Sequence, residues 1–114
     1  MNPIDHDRAR AELVAERGRL LEEIDQAVTM PEQMTYGSQA AAATQVFEQE
    51  RELAMRERAS IHLQAVEGAL ARLDSGTYGT CLRCGKLIPV ERLEALPWAA
   101  HCVECQTIVD RSRH

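Results

Sequence analysis

Residues 80–105 read TCLRCGKLIPVERLEALPWAAHCVEC, and the pairs Cys81-Leu82-Arg83-Cys84 and Cys102-Val103-Glu104-Cys105 are separated by 17 residues. Each C-x2-C can bend around a metal so that both sulfurs meet it, and two such knuckles complete a tetrahedron. Four protein thiolates leave no open position for water or substrate. The spacing therefore predicts one structural Zn2+ ion held by Cys81, Cys84, Cys102 and Cys105. A redox C-x-x-C would come with a βαβ context, which this helical sequence lacks. An iron–sulfur cluster accepts the same four thiolates and stays open as an alternative at this point. His101 adjoins Cys102, but beside four cysteines it reads as a surface residue.

Upstream of the cysteines the chain is built of helical material. Ala, Leu, Glu and Arg are abundant, and the aromatic residues are Tyr36, Phe47, Tyr78 and Trp98 alone. Residues 3 to about 29 read as one helix, with Asn2 as its cap, Pro3 at its first position and Asp5 near the positive end of its dipole. Leu13, Leu20, Ile24 and Ala27 fall on one stripe, which Val14, Leu21 and Val28 widen and Arg17 interrupts. The pattern stops between Met30 and about Gln39, where Pro31 and Gly37 mark a connection. A second helix, roughly Ala40 to Leu73, carries Phe47, Leu53, Ala59, Leu63, Val66, Leu70 and Leu73, with regular spacing only from Ala59 onward. Asp74-Ser75-Gly76 is a stop signal, with Gly76 placed for the left-handed residue that ends many helices.

The expected fold is mainly α: an antiparallel two-helix coiled-coil hairpin over residues 1–75, its loop at about 30–39, followed over 76–114 by a C4 zinc finger with a short final helix. Such a hairpin cannot enclose a core by itself, so metal is expected to supply much of the folding free energy of the C-terminal part. Thirteen Lys and Arg against 18 Asp and Glu give a net charge of −5, so no sequence-wide basic surface exists for tracking a phosphate backbone, and direct nucleic-acid binding is not expected. No run approaches the roughly 18 apolar residues that span a bilayer, and the N-terminus lacks the apolar core of a secretory signal. The expected location is the cytoplasm, where thiols stay reduced. No Ser/His/Asp or Cys/His constellation, phosphate-cradling glycine loop or open metal position is present, so the reading is a non-enzyme.

The segment from Ala69 through Asp74-Ser75-Gly76-Thr77-Tyr78-Gly79-Thr80-Cys81 to Gly85, with Ile88, Arg92-Leu93-Glu94-Ala95, Pro97 and Cys102-Val103-Glu104-Cys105, resembles the DksA/TraR-type C4 zinc-finger proteins. Ala43 to Glu50 is similar to the start of that family's second coiled-coil helix. The resemblance implies a bacterial transcription regulator that binds RNA polymerase, sends its coiled coil into the secondary channel, and does not bind DNA directly. The other class consistent with these residues is a zinc-stapled coiled-coil adaptor that binds some other protein.

Two departures from the family pattern qualify this expectation. Well-studied members carry two aspartates three residues apart at the tip, followed by an alanine. The matching stretch here is Ser38-Gln39-Ala40-Ala41-Ala42-Ala43, so Ser38 and Ala41 replace the acids and only Ala43 is kept. Ser and Ala cannot perturb a magnesium ion as carboxylates can, and altered tip activity follows. Some members also bind the alarmone ppGpp jointly with polymerase through basic residues. The matching positions are Ala65, Leu96 and Gln106, none cationic, and no ppGpp response is expected. Arg92 matches another basic position and is a candidate polymerase contact, weighed against a packing role beside the finger. Tyr78 and Trp98 are read as apolar cover for the sulfurs. Arg51, Arg56 and Arg58, interleaved with Glu48, Glu50, Glu52 and Glu57, read as a solvated ionic face.

Overall fold

A computed structural model describes residues 4–28 and 39–112, with the side chains of residues 4–26 and 43–112. Four helices follow one another: α1 (His6–Val28), α2 (Gln39–Ser75), α3 (Val90–Ala95) and α4 (Val103–Ser112). Among the described residues the sole β feature is an isolated antiparallel bridge between Thr80 and Leu87.

The first helix starts later than the sequence suggests, because Asp5 caps it. The Asp5 Oδ1 accepts the Arg8 N–H at 3.0 Å and its carbonyl accepts the Ala9 N–H at 3.0 Å, which satisfies donors that a helix start leaves open. The expected Asn2 cap and Pro3 start lie outside the described residues. At the far end of α2, Gly76 takes φ +80 and the Thr77 N–H reaches back to the Arg72 carbonyl at 2.9 Å. This six-to-one bond is the helix stop read from Gly76.

The two long helices run antiparallel, as their cross-contacts demonstrate. Arg10 pairs with Asp74 at 2.9 Å and Glu16 meets His62 at 3.3 Å, while Leu20 and Glu23 line one groove with Arg51, Met55, Arg58 and Ala59. Partners on α2 thus recede as α1 advances. Leu13 and Leu20 of α1 are buried with Ala59, Val66, Ala69 and Leu70 of α2, and Ala9 joins them. The small Ala9, Ala59 and Ala69 let the helix backbones approach closely. Ile24, Leu63 and Leu73 pack partly against the same seam.

A hairpin of two helices buries one narrow stripe, and several residues expected on it fall outside. Val14 and Leu21 are 44% and 50% exposed, so they do not widen the seam. Phe47 and Leu53 are 72% and 63% exposed, in the part of α2 whose spacing drifts before Ala59. Arg17 is exposed. The side chains of Ala27 and Val28 and the loop at 30–38 lie outside the described residues, while Gln39 already belongs to α2.

The C-terminal segment folds back onto the base of this hairpin. Tyr78, Cys81, Ile88, Leu93, Ala99 and Cys105 are buried, and they form one cluster with the hairpin seam. Gly79 stands at φ +90, and a Cβ there would meet the Ile4 Cδ1 at 2.7 Å, so both the backbone angle and the space call for glycine. Two ring contacts bridge finger and hairpin. His6 of α1 is edge-on to Tyr78 at 6.0 Å, and His62 of α2 is edge-on to Trp98 at 4.4 Å.

Candidate metal centre

The first knuckle is a tight turn closed by backbone bonds. The Gly85 N–H donates to the Cys81 carbonyl at 3.0 Å, and the Cys81 N–H donates to the Lys86 carbonyl at 2.8 Å. The Ile88 N–H then donates to the Gly79 carbonyl at 2.8 Å, beside the Thr80–Leu87 bridge. These bonds turn the chain so that the Cys81 and Cys84 side chains face the same point. The second knuckle is made differently, since Cys102 immediately precedes α4 and Cys105 lies in its first turn. A three-residue offset at a helix start puts both sulfurs on one side. The Leu82 N–H donates to the Ala100 carbonyl at 2.9 Å, which sews the two knuckles together.

The four sulfurs lie within 4.8 Å of one another, and those of Cys84 and Cys102 are 3.9 Å apart. Tetrahedral Zn–S bonds of about 2.3 Å imply sulfur separations of about 3.8 Å, so the cluster fits one zinc ion. Cys81 and Cys105 are buried, Cys102 is half-buried and Cys84 exposed, and none is in a disulfide.

The two buried thiols differ in acidity. Burial opposes ionisation of Cys81, yet backbone hydrogen bonds from Cys84, Cys102 and Arg83 outweigh it and bring this thiol down to about 5. Burial pushes Cys105 up to about 12, with the Cys102 thiol adding to the rise and a hydrogen bond from Arg83 opposing it. A thiolate is thus favoured at one corner of the site, and the others lose their protons as metal binds.

Around the centre, α3 starts after Pro89, whose carbonyl accepts the N–H groups of Arg92 and Leu93 at 3.0 and 3.2 Å. The Arg92 Nε donates to the His101 carbonyl at 3.0 Å, so this half-buried side chain ties α3 to the approach of the second knuckle. His101 lies outside the sulfur cluster and is half-buried rather than the surface residue expected. The Tyr78 hydroxyl donates to the Pro97 carbonyl at 2.8 Å, and both aromatic residues engage the hairpin through His6 and His62. That joining role was not legible in the sequence. Nor was the side chain of Arg83, whose Nη1 donates to the Cys105 Sγ at 3.8 Å; the x positions of a C-x2-C carry no spacing signal.

Of the tip residues, Ser38 lies outside the described residues, as does the side chain of Ala41, which belongs to α2. Ala43 is exposed. Among the described residues no helix is long and apolar enough to cross a membrane.

Known proteins share this arrangement. Residues 76–111 match the prokaryotic DksA/TraR C4-type zinc-finger family. The uncharacterized protein YteA of Bacillus subtilis (strain 168) is 41% identical over 73 residues, 62% of this chain and 30% of that protein, so the chain spans under a third of that relative's length. The RNA polymerase-binding transcription factor DksA of Escherichia coli (strain K12) is 31% identical over 112 residues, 96% of this chain and 74% of that protein. The structure of transcription factor DksA2 from Pseudomonas aeruginosa superposes with a TM-score of 0.75 at 28% identity, covering 96% of this chain and 86% of the other. Four sulfurs placed around one point in a C4-type finger make the cofactor a single structural zinc ion rather than an iron–sulfur cluster. From its matched finger, its hairpin and its alignment over 96% of its length to a factor of which it covers 74%, the chain belongs to the prokaryotic DksA/TraR C4-type zinc-finger family.

Proposed function

We propose that this protein is a bacterial transcription regulator that binds RNA polymerase through the secondary channel and does not bind DNA directly. The observation that carries this reading is the 31% identity to the E. coli factor across 96% of the chain, finger and hairpin together. A long, thin molecule supports it, with extents of 64 × 31 × 20 Å and a 37-residue α2 that reaches about 55 Å at 1.5 Å per residue. The charge of −5 agrees with a protein partner rather than a phosphate backbone.

In this reading residues 1–75 are the probe and 76–114 the base that sets its angle. Cys81, Cys84, Cys102 and Cys105 each give one thiolate to the zinc, which organises the base and takes no part in a reaction; the protein is a cytoplasmic non-enzyme. Ser38, Ala41 and Ala43 meet the polymerase at the tip without an acidic pair, so the activity differs from that of members that carry one. Arg92 is a second contact, at the finger. The ppGpp positions are not cationic: Ala65 and Leu96 are half-buried, and the Gln106 amide donates to Asp110 at 2.9 Å. The factor therefore acts without ppGpp.

A crosslinked pull-down at native expression separates this reading from a zinc-stapled adaptor. The polymerase core subunits are expected as the main captured species. Their absence, with another protein captured in stoichiometric amount, favours the adaptor.

A further inference from the structure

The geometry points to Arg83 as a positioning residue for the metal, a guanidinium that spans the two zinc knuckles and holds the charge of the Cys105 thiolate; this rests on the four-cysteine ligand set proposed above. Arg83 belongs to the first knuckle, between Cys81 and Cys84, yet its Nη1 reaches the sulfur of Cys105 in the second at 3.8 Å. Among the described residues it is the one cationic side chain hydrogen-bonded to a sulfur of the cluster. Cys105 is one of the two buried sulfurs of the cluster, at 4% exposure beside Cys81 at 2%.

Four thiolates around one Zn2+ leave the centre with two excess negative charges. Cys84 and Cys102 can share theirs with water, whereas Cys81 and Cys105 cannot. Backbone N–H groups from both knuckles favour the Cys81 thiolate whatever the side chains are. Cys105 lies in the first turn of α4 at 4% exposure, so its sulfur must draw a donor from the protein rather than from water. A charge-assisted N–H···S bond from Arg83 fills that need, and because it crosses from one knuckle to the other it also resists their separation, the motion by which zinc leaves.

The test compares the full-length chain with Arg83→Gln and Arg83→Lys. Zinc release to a chromogenic chelator is followed at fixed pH, and the charge-transfer bands of the Co2+-substituted proteins are recorded. Arg83→Gln should release zinc roughly tenfold faster, in line with the tenfold or greater loss of metal affinity that removing such a partner brings. Its sulfur-to-cobalt band should move to lower energy, because the thiolate loses a donor. Arg83→Lys, which keeps a charge and an N–H, should fall between the two. A band shift reports on the sulfur itself and is not produced by general loosening of the fold. Release by Arg83→Gln at the unsubstituted rate, with the band unmoved, overturns the role of Arg83. A four-thiolate cobalt spectrum that survives Cys105→Ser overturns the ligand set instead, so the two failures are told apart.

Discussion

Stripping the zinc with a strong chelator should unfold residues 76–112 and leave α1 and α2 without their base. The buried side chains of this segment are Tyr78, Cys81, Ile88, Leu93, Pro97, Ala99 and Cys105, so two of its few interior side chains are sulfurs of the metal cluster. Its backbone is tied by one β-bridge, a few turn bonds and the short helices α3 and α4. An apolar set this small cannot offset the conformational entropy of ordering the segment. Metal binding at such a site contributes on the order of 10 kcal/mol, which is as large as the whole stability of many domains. Helical circular dichroism should fall by the share of α3 and α4, and proteases should cut between residues 76 and 112. The hairpin should melt at lower temperature, because Tyr78 and Trp98 no longer engage His6 and His62. Acid should have the same effect as chelation, since protons compete with zinc for thiolates and retention weakens as the pH falls. Unchanged dichroism and protease resistance after complete zinc removal would contradict this account.

The second large effect belongs to the hairpin seam. Leu13 and Val66 are both 0% exposed, in the seam between α1 and α2. Leu13→Ala removes buried methyl groups and leaves a cavity that two helices pinned at one end by the finger cannot fully close. The expected cost is about 3 kcal/mol. For a chain of this size that lowers the melting temperature by roughly 12–20 °C. Phe47→Ala is the control: a larger truncation at a residue 72% exposed, it should alter stability by no more than about 0.5 kcal/mol. Thermal unfolding of the zinc-loaded proteins decides the matter, and a Phe47→Ala loss exceeding that of Leu13→Ala would show that the seam has been placed wrongly.

How much of this was readable from residues alone follows from the range of each interaction. The metal cluster was legible because two C-x2-C pairs impose their geometry locally, and the stop at Gly76 because a left-handed residue is a property of one position. The seam from Ala59 to Leu70 was legible from its spacing. Its width was not: Val14 and Leu21 have the right chemistry for a core, but a second helix covers only one stripe and no third element shields them. The start of α1 was misjudged because Asn2 and Asp5 are both good caps, and the choice between them depends on which backbone donors the side chain reaches. His62 illustrates what periodicity cannot show, since its contacts with Glu16 and Trp98 join residues 46 and 36 positions away. Arg83 is the same kind of case within the finger.

The central claim, that this zinc-based hairpin is a polymerase probe, is tested most directly by binding the zinc-loaded protein to RNA polymerase core in the presence of a factor known to occupy the secondary channel. Saturable binding that the competitor displaces fully is the expected result. Absence of binding, or binding that the competitor leaves untouched, would contradict it.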